Sequence, residues 1–385
     1  MLTTPFQKLL HDGSLFLNAL ILELEKMGFE FQTLQPDHLC LRVATLEEYS
    51  AAKNLVATAA TLLTETDVNG RPIASYRLHE PFVSKRGPVE ILEIPSPKDG
   101  SFYPYGFEHA EFVIKESFES FKMKHPSLNF RGRQDRVLNP ELSLKTACGV
   151  AKFHTSTLAR VIEIEEAPIR EVIFDFDGTI IDAREMIYAI NAQVFSRLLG
   201  RSVSSNEART HHAPDFPTLF KNFGIVDAAE RARGMDLWAE VSHEATFPLF
   251  AGIREALEEI ARLGFRMHIW TAREESSTRQ IMKKHGIADY FETFGFSTAK
   301  LSKPHPDTIG FDWKQKNSGS MIVVGDSWTD MRGAHAIGAV AGAALWDPDL
   351  DLSHLCEMGA ELLLRKPEDL VEYLRARAPE ASRDS

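Results

Sequence analysis

Asp175 and Asp177 stand two residues apart at the end of a short apolar run, EVIFDFDG (171–178). Side chains two apart on a strand face the same way, so both carboxylates meet at its C-terminal end, where open α/β sheets take their ligands. Gly178 permits a sharp turn there, and Thr179 adds a hydroxyl and a backbone amide. Three later segments offer complementary groups. FRMHIWTAR (265–273) is an apolar strand ending in Thr271. SKPHPD (302–307) places Lys303 in a loop fixed by Pro304 and Pro306. MIVVGDSWTDMRGAHAIGA (321–339) ends a third strand at Asp326, with Asp330 four residues on. Carboxylates, a hydroxyl and an ammonium at strand ends are the groups that phosphoryl transfer needs. They supply a nucleophile, hard oxygen ligands for Mg²⁺ and positive charge for the phosphoryl oxygens.

The elements that position these groups alternate strand and helix from residue 170 onward, the pattern of a parallel sheet covered on both faces. A long helical region (182–245) interrupts the alternation after the first strand. The 385-residue length calls for two domains. Pro168, between ARVIEIEE (159–166) and EVIFDFDG, marks the boundary, giving domains at 1–167 and 168–378 and a tail at 379–385. The alternation of apolar and charged residues in ARVIEIEE predicts a half-buried strand. Before it come an amphipathic helix near 14–28, helices near 46–60 and 116–124, and extended segments at 37–43, 61–68, 72–80, 88–95, 109–114 and 149–155. The N-terminal half therefore reads as α+β with two β-rich modules.

The order and spacing of DFDGT, the strand ending in Thr271, Lys303 in KPHPD, and GDSWTD resemble the haloacid dehalogenase superfamily of phosphatases over about residues 170–375. The resemblance implies a Rossmann-like α/β fold and a role for each residue. Asp175 would be the nucleophile, forming an aspartyl-phosphate, and Asp177 the acid and then the base. Thr271 and Lys303 would hold phosphoryl oxygens. Asp326, Asp175 and the main-chain carbonyl of Asp177 would bind Mg²⁺, with Asp330 supporting that shell. Members that dehalogenate or cleave carbon–phosphorus bonds lack the second aspartate, so Asp177 argues against both activities. Phosphotransfer or mutase chemistry is an alternative within the class. The helical segment at about 182–248 would be a cap closing over the site. Arg184, Arg209, His211, His212 and Lys221 are its candidate substrate contacts, Thr179 is one from the core, and Arg273, just beyond Thr271 on an active-site strand, is a candidate substrate or gating residue.

The first half contains an internal echo. DHLCLRV and EHAEFVI each open with a histidine near the strand start, and His38 and His109 lie 71 residues apart. Glu90 follows His38 by 52 residues and Glu163 follows His109 by 54, as expected for a duplicated module giving one His and one Glu from each copy, although strand parity at 89–94 lets Glu93 compete with Glu90. Two imidazoles and two carboxylates lining a cup suit a divalent metal such as Zn²⁺, Ni²⁺, Mn²⁺ or Fe²⁺. The pattern resembles the vicinal-oxygen-chelate superfamily of paired βαβββ modules. DHLCLRVA, NGRPIASYRL, EILEIPSPK and YGFEHAEFVI are most similar to its YecM branch, over about residues 10–166. The resemblance implies a metal site. It leaves open a lyase, isomerase or oxygenase activity, or a ligand-binding module.

Composition narrows the partners. The net charge of −12 argues against binding nucleic acid through counterion release. Three well-separated cysteines, Cys40, Cys148 and Cys356, argue against a disulfide framework and a cysteine-built zinc site and fit reduced thiols. No run of apolar residues is long enough for a membrane span, and the N-terminus lacks a signal-peptide pattern. The expectation is a cytoplasmic enzyme whose partner is a small phosphorylated metabolite, with no nucleic acid and no membrane.

Overall fold

In a computed structural model the chain is described over residues 4–378 except 33, 69, 99, 101–103, 214, 243–244, 298–300 and 317–318. The expected tail at 379–385 lies outside the described residues. The chain forms two compact units, one of residues 1–167 with 352–361 and one of residues 168–351 with 362–385.

The first unit opens on α1 (Pro5–Lys26), which starts well before the expected 14–28. The cause is local. Thr4 and Gln7 form a reciprocal capping box and Pro5 occupies the first helical turn. There follow β1 (Leu34–Arg42), α2 (Leu46–Ala57), β2 (Ala60–Asp67), β3 (Pro72–Ser84) and β4 (Gly87–Pro95). The second half-unit runs β5 (Gly106–Ile114), α3 (Phe118–Lys124), β6 (Leu142–Lys145) and β7 (Val150–His154). All seven strands form one sheet in the order β2-β3-β4-β1-β5-β7-β6. The echo is visible in the pairing. β1 pairs with β4 in parallel as β5 does with β7, and the two modules meet at the antiparallel β1–β5 pair. The first module is βαβββ, whereas the second lacks one strand, kept only as an isolated bridge between Arg131 and Ser143.

The expected strand at 159–166 is instead α4 (Leu158–Glu166). Thr157 caps it by accepting from the Arg160 amide, and Val161, Ile162 and Ile164 are all buried. Adjacent buried residues break the two-residue alternation that Ile162 and Ile164 alone would satisfy, so the cap and the helical stripe decide the outcome.

One face of the sheet packs Leu39, Leu41, Leu92, Ile94, Ala110, Phe112 and Phe153 into a core with α1 residues such as Leu17 and Leu20. Strand parity sends the alternate residues, His38 and Cys40 of β1 among them, to the other face.

The second unit begins with β8 (Glu171–Phe174), buried at every position. The interrupting helices are α5 (Arg184–Leu199), α6 (Ser205–Thr210), α7 (Phe216–Asn222) and α8 (Ala228–Ser242). They hold a small core of their own around Tyr188, Phe195, Phe220 and Phe223, with Phe195 and Phe223 stacked at 3.8 Å. Then come α9 (Ile253–Arg262), β9 (Arg266–Thr271), α10 (Glu275–His285), β10 (Phe291–Phe296), β11 (Met321–Gly325), α11 (Trp328–Ala336) and β12 (Val340–Ala344). α12 (Leu352–Glu357) groups with the first unit, and β13 (Leu362–Leu364) and α13 (Pro367–Arg375) complete the second. The six strands are parallel in the order β10-β9-β8-β11-β12-β13. The connections leave β8 toward β9 and later return to its other side at β11. The crevice beyond the carboxyl ends of β8 and β11 is therefore the topological switch point, where ligands bind in such sheets.

Candidate functional site

Asp175 follows the last residue of β8, and Asp326 follows the last residue of β11. The carboxylate oxygens of Asp175, Asp326 and Asp330 lie within 4.8 Å of one another. Two glycines make this convergence possible. Gly178 has φ +80°, and a Cβ there would come within 2.1 Å of Asp326 Oδ2. A Cβ on Gly325 would come within 2.0 Å of Asp330 Cγ. Asp330 is fully buried at the start of α11, where it accepts from the Ser327 amide at 2.9 Å and the Ser327 hydroxyl at 2.6 Å.

Lys303 neutralises part of this charge. Its buried Nζ donates to Asp175 Oδ1 at 3.0 Å and to the Trp270 carbonyl at 2.6 Å, and it pairs with Asp330. Arg184, first residue of α5, reaches Asp326 at 3.3 Å and Asp347 at 2.9 Å. These cations do not cancel the crowding. Burial, then Asp330, Asp326 and Asp177, push Asp175 well above the usual carboxylate range against the pull of Lys303. Burial and Asp330 push Asp326 up to about 7. Burial alone would lower the Lys303 pKa, but Asp175 and Asp330 outweigh it and raise it. Three crowded carboxylates with oxygen donors only fit a hard divalent cation such as Mg²⁺.

Thr271 and Thr179 carry the hydroxyls expected to face phosphate. Thr271, at the end of β9, is buried and its Oγ1 accepts from the Arg273 amide at 3.1 Å. Thr179 is fully buried and its Oγ1 has no hydrogen-bond partner among the described residues, while its carbonyl accepts from Trp346 Nε1 at 3.1 Å. Asp177 does not join the carboxylate cluster. Arg273 takes its carboxylate instead, through Nε at 2.8 Å to Oδ2 and Nη2 to Oδ1. Of the residues between β8 and α9, His212 titrates in the field of Asp177 and Arg184. Burial and Arg184 lower its pKa to about 4. Arg209 pairs with Glu185 and covers the Tyr188 ring, His211 stacks on Phe223, and Lys221 is exposed.

The N-terminal histidines also converge, but on different carboxylates from those expected. His38 pairs across the sheet with Glu111, and Cys40 with His109. His38 Nε2 lies 3.5 Å and His109 Nε2 3.2 Å from Glu111 Oε1, and His154 Nε2 lies 2.5 Å from Glu111 Oε2. All four residues are buried, and none of the three Nε2 atoms has a hydrogen-bond partner among the described residues. Behind them, His38 Nδ1 sits 2.8 Å from Asp37 and His109 Nδ1 3.0 Å from Glu108. Burial opposes charging of His38, yet Glu111 and Asp37 raise its pKa to about 10. Glu111 is held well below its ordinary value by Lys152, His38 and His154 against the effect of burial.

Glu90 and Glu163 are not brought to the histidines. Ile91, not Glu90, is in register with His38, so Glu90 projects from the opposite face of β4 and is exposed. Glu163 lies on α4, where its largely exposed side chain pairs with Arg160 at 3.2 Å. Strand parity puts Glu111 on the same face of β5 as His109. His154 follows from the same parity on β7, because it shares a face with Lys152, the partner of Glu111.

Comparison with known proteins divides the chain in the same two parts. The model of the haloacid dehalogenase-like hydrolases matches residues 172–344. Over that span the C-terminal unit is similar to haloacid dehalogenase-like hydrolases. This hydrolase domain is similar to a phosphoglycolate phosphatase of Vibrio parahaemolyticus, at 27% identity over 190 residues, covering 45% of this chain and 82% of that protein. It is also similar to the pyrophosphatase PpaX of Bacillus pumilus, at 22% identity over 219 residues, covering 55% of this chain and all of that protein. The YecM protein model matches residues 5–165. The YecM protein of Escherichia coli is 26% identical over 180 residues, covering 42% of this chain and 94% of that protein. No helix among the described residues is long and apolar enough to cross a membrane.

Proposed function

We propose that the hydrolase domain is a Mg²⁺-dependent phosphatase for a small phosphorylated metabolite, acting through Asp175. The observation that carries this reading is the Asp175 carboxylate, aligned with Lys303 and clustered with Asp326 and Asp330 at the switch point of the sheet. Asp175 attacks phosphorus, and the bond from phosphorus to the ester oxygen breaks as the aspartyl-phosphate forms. Asp177 gives its proton to the departing oxygen. It then takes a proton from water, which cleaves the acyl-phosphate and releases inorganic phosphate. Thr271, Thr179 and Lys303 hold the phosphoryl oxygens, and their buried, preorganised donors strengthen that hold. Asp175, Asp326, Asp330 and the Asp177 carbonyl would hold Mg²⁺, which when bound supplies charge stabilisation to the transferring group.

The test is phosphate release from a panel of phosphorylated metabolites, with 2-phosphoglycolate and pyrophosphate included because the relatives are named for them. Mg²⁺-dependent release, abolished by EDTA and by Asp175→Asn, is the expected result. Retained turnover in Asp175→Asn overturns the nucleophile assignment. Transfer to an acceptor sugar in place of release to water selects the phosphotransferase or mutase alternative.

For the N-terminal unit the reading is a divalent transition-metal site, favoured by three buried Nε2 atoms that surround one carboxylate with no hydrogen bond of their own among the described residues. His38, His109, His154 and Glu111 would hold the ion, and Asp37 and Glu108 would orient the first two imidazoles through Nδ1. Three nitrogens and one oxygen suit Zn²⁺, Ni²⁺, Mn²⁺ or Fe²⁺. Equilibrium dialysis of the full chain against each ion, followed by metal analysis, should give one ion per chain, lost in His109→Ala. No retained ion from any of the four would leave this unit as a ligand-binding module.

A further inference from the structure

Arg273 carries a buried charge whose position neither the nucleophile nor the cation site explains. It is 5% exposed. A guanidinium so deeply buried persists only where its donors are satisfied. Each of its three nitrogens donates. Nε and Nη2 hold the Asp177 carboxylate as a fork, and Nη1 donates to Ser277 Oγ at 2.9 Å. Its face is covered as well. The Phe247 ring centroid lies 4.5 Å from the guanidinium carbon, and that of Trp238 lies 5.7 Å from it.

These two rings belong to the inserted helical region and its return to the core. Trp238 is on α8, and its Nε1 donates to Asn191 Oδ1 of α5 at 3.0 Å. The indole is thereby fixed to the body of the insert. Phe247 is buried in the segment leading from α8 to α9. One side chain thus touches the aspartate assigned to proton transfer on its edge and the insert on its face.

We propose that Arg273 is a positioning residue that sets the orientation of Asp177 according to where the helical insert sits. A planar fork fixes a carboxylate in direction as well as distance, which a lysine ammonium cannot do. Stacking of Phe247 and Trp238 fixes the plane of that fork. Withdrawal of the insert removes the packing from the guanidinium and frees the Asp177 carboxylate to turn. Seating of the insert restores the fork. The insert then controls proton transfer through Arg273 as well as excluding water. This inference rests on the phosphatase reading above.

The test is a double-mutant cycle of Arg273→Lys and Trp238→Phe in the full chain, read on kcat, KM and Tm. Arg273→Lys should lower kcat by about 10- to 100-fold, the scale of a roughly 1 Å misplacement. KM should move by less than about threefold, since substrate binding is not what is lost. Trp238→Phe should lower kcat by less. The double variant should be no slower than Arg273→Lys alone, because both act through one contact. Wild-type kcat in Arg273→Lys, a KM rise at unchanged kcat, or additive kcat effects would each overturn the proposal. If Arg273→Lys does not fold, Phe247→Leu loosens the same face without touching the fork, and an unchanged kcat there has the same meaning. Absence of Mg²⁺-dependent phosphate release by the wild-type chain removes the phosphatase reading instead. The cycle is then decided on Tm, where additivity overturns the tie between Arg273 and Trp238 and coupling supports it.

Discussion

The carboxylates beyond β8 and β11 and the imidazoles on β1, β5 and β7 handle buried charge in opposite ways. In the hydrolase domain three acids crowd together, and burial with mutual repulsion lifts Asp326 to about 7. In the YecM-like unit three histidines crowd around one acid, and Glu111 with Asp37 lifts His38 to about 10 despite burial. The first site therefore lacks positive charge, and the second holds protons where an ion would sit. A hard cation relieves the first by charge alone. An ion entering the second must displace protons from nitrogen, so ligand chemistry matters as well as charge. The scaffolds differ to match. Loop ends of a parallel sheet bring oxygens from distant segments to one point, whereas a sheet face brings cross-strand neighbours together by register.

The sharpest way to break this contrast is at the nucleophile. Asp175→Asn should lower Mg²⁺-dependent phosphate release by about four orders of magnitude or more. Asp177→Asn should slow it by about 10²- to 10⁴-fold, the usual worth of a positioned acid–base group, measured as initial rates at saturating substrate. Next in size is the N-terminal ligand set. His109→Ala should remove the retained transition metal, while Glu90→Ala and Glu163→Ala should leave metal content unchanged. Metal loss in either glutamate variant would restore the ligand set expected from the 52- and 54-residue spacings.

A smaller effect concerns the sheet that carries the hydrolase site. Burial opposes ionisation of Glu171. Arg266, Lys316 and His268 nevertheless hold it at about 2, below its ordinary 4.5. A carboxylate depressed in the fold stabilises it above the unfolded pKa and loses that contribution as pH falls through the folded value. Glu171→Gln should therefore cost about 2–3 kcal/mol near neutral pH and flatten the acid limb of the hydrolase domain's stability, read by urea unfolding across pH. The smallest expected change is at Asp37. Asp37→Asn should weaken metal binding by about tenfold through its contact with His38 Nδ1, measured by competitive chelation. Affinity in the wild type should rise with pH across the neutral range, because binding releases the protons held by His38 and His109.

The two sites were legible in the sequence to different degrees, for a physical reason. Asp175, Thr271, Lys303 and Asp326 each stand at or just after a strand end or in a proline-fixed loop, and a parallel sheet aligns its strand ends whatever the lengths of the crossovers. Local motifs therefore report the site. On the YecM-like sheet the histidines were legible because each opens a similar strand. Their carboxylate was not, because spacing between copies assumes that both modules keep the same elements. The second module has lost a strand, and α4 stands where a strand was expected. Parity at Glu111 was the better guide, since register and not repeat length determines which side chains meet. The Arg273–Asp177 fork had no signal beyond proximity to Thr271, because it joins positions 96 residues apart.

The most direct measurement is a rapid-quench single turnover with a radiolabelled phosphomonoester taken from the panel as the best substrate. Protein-bound label that is labile to hydroxylamine and mapped to Asp175 in the wild type, and absent from Asp175→Asn, is the predicted result. Turnover at the wild-type rate with label on another residue would contradict the account.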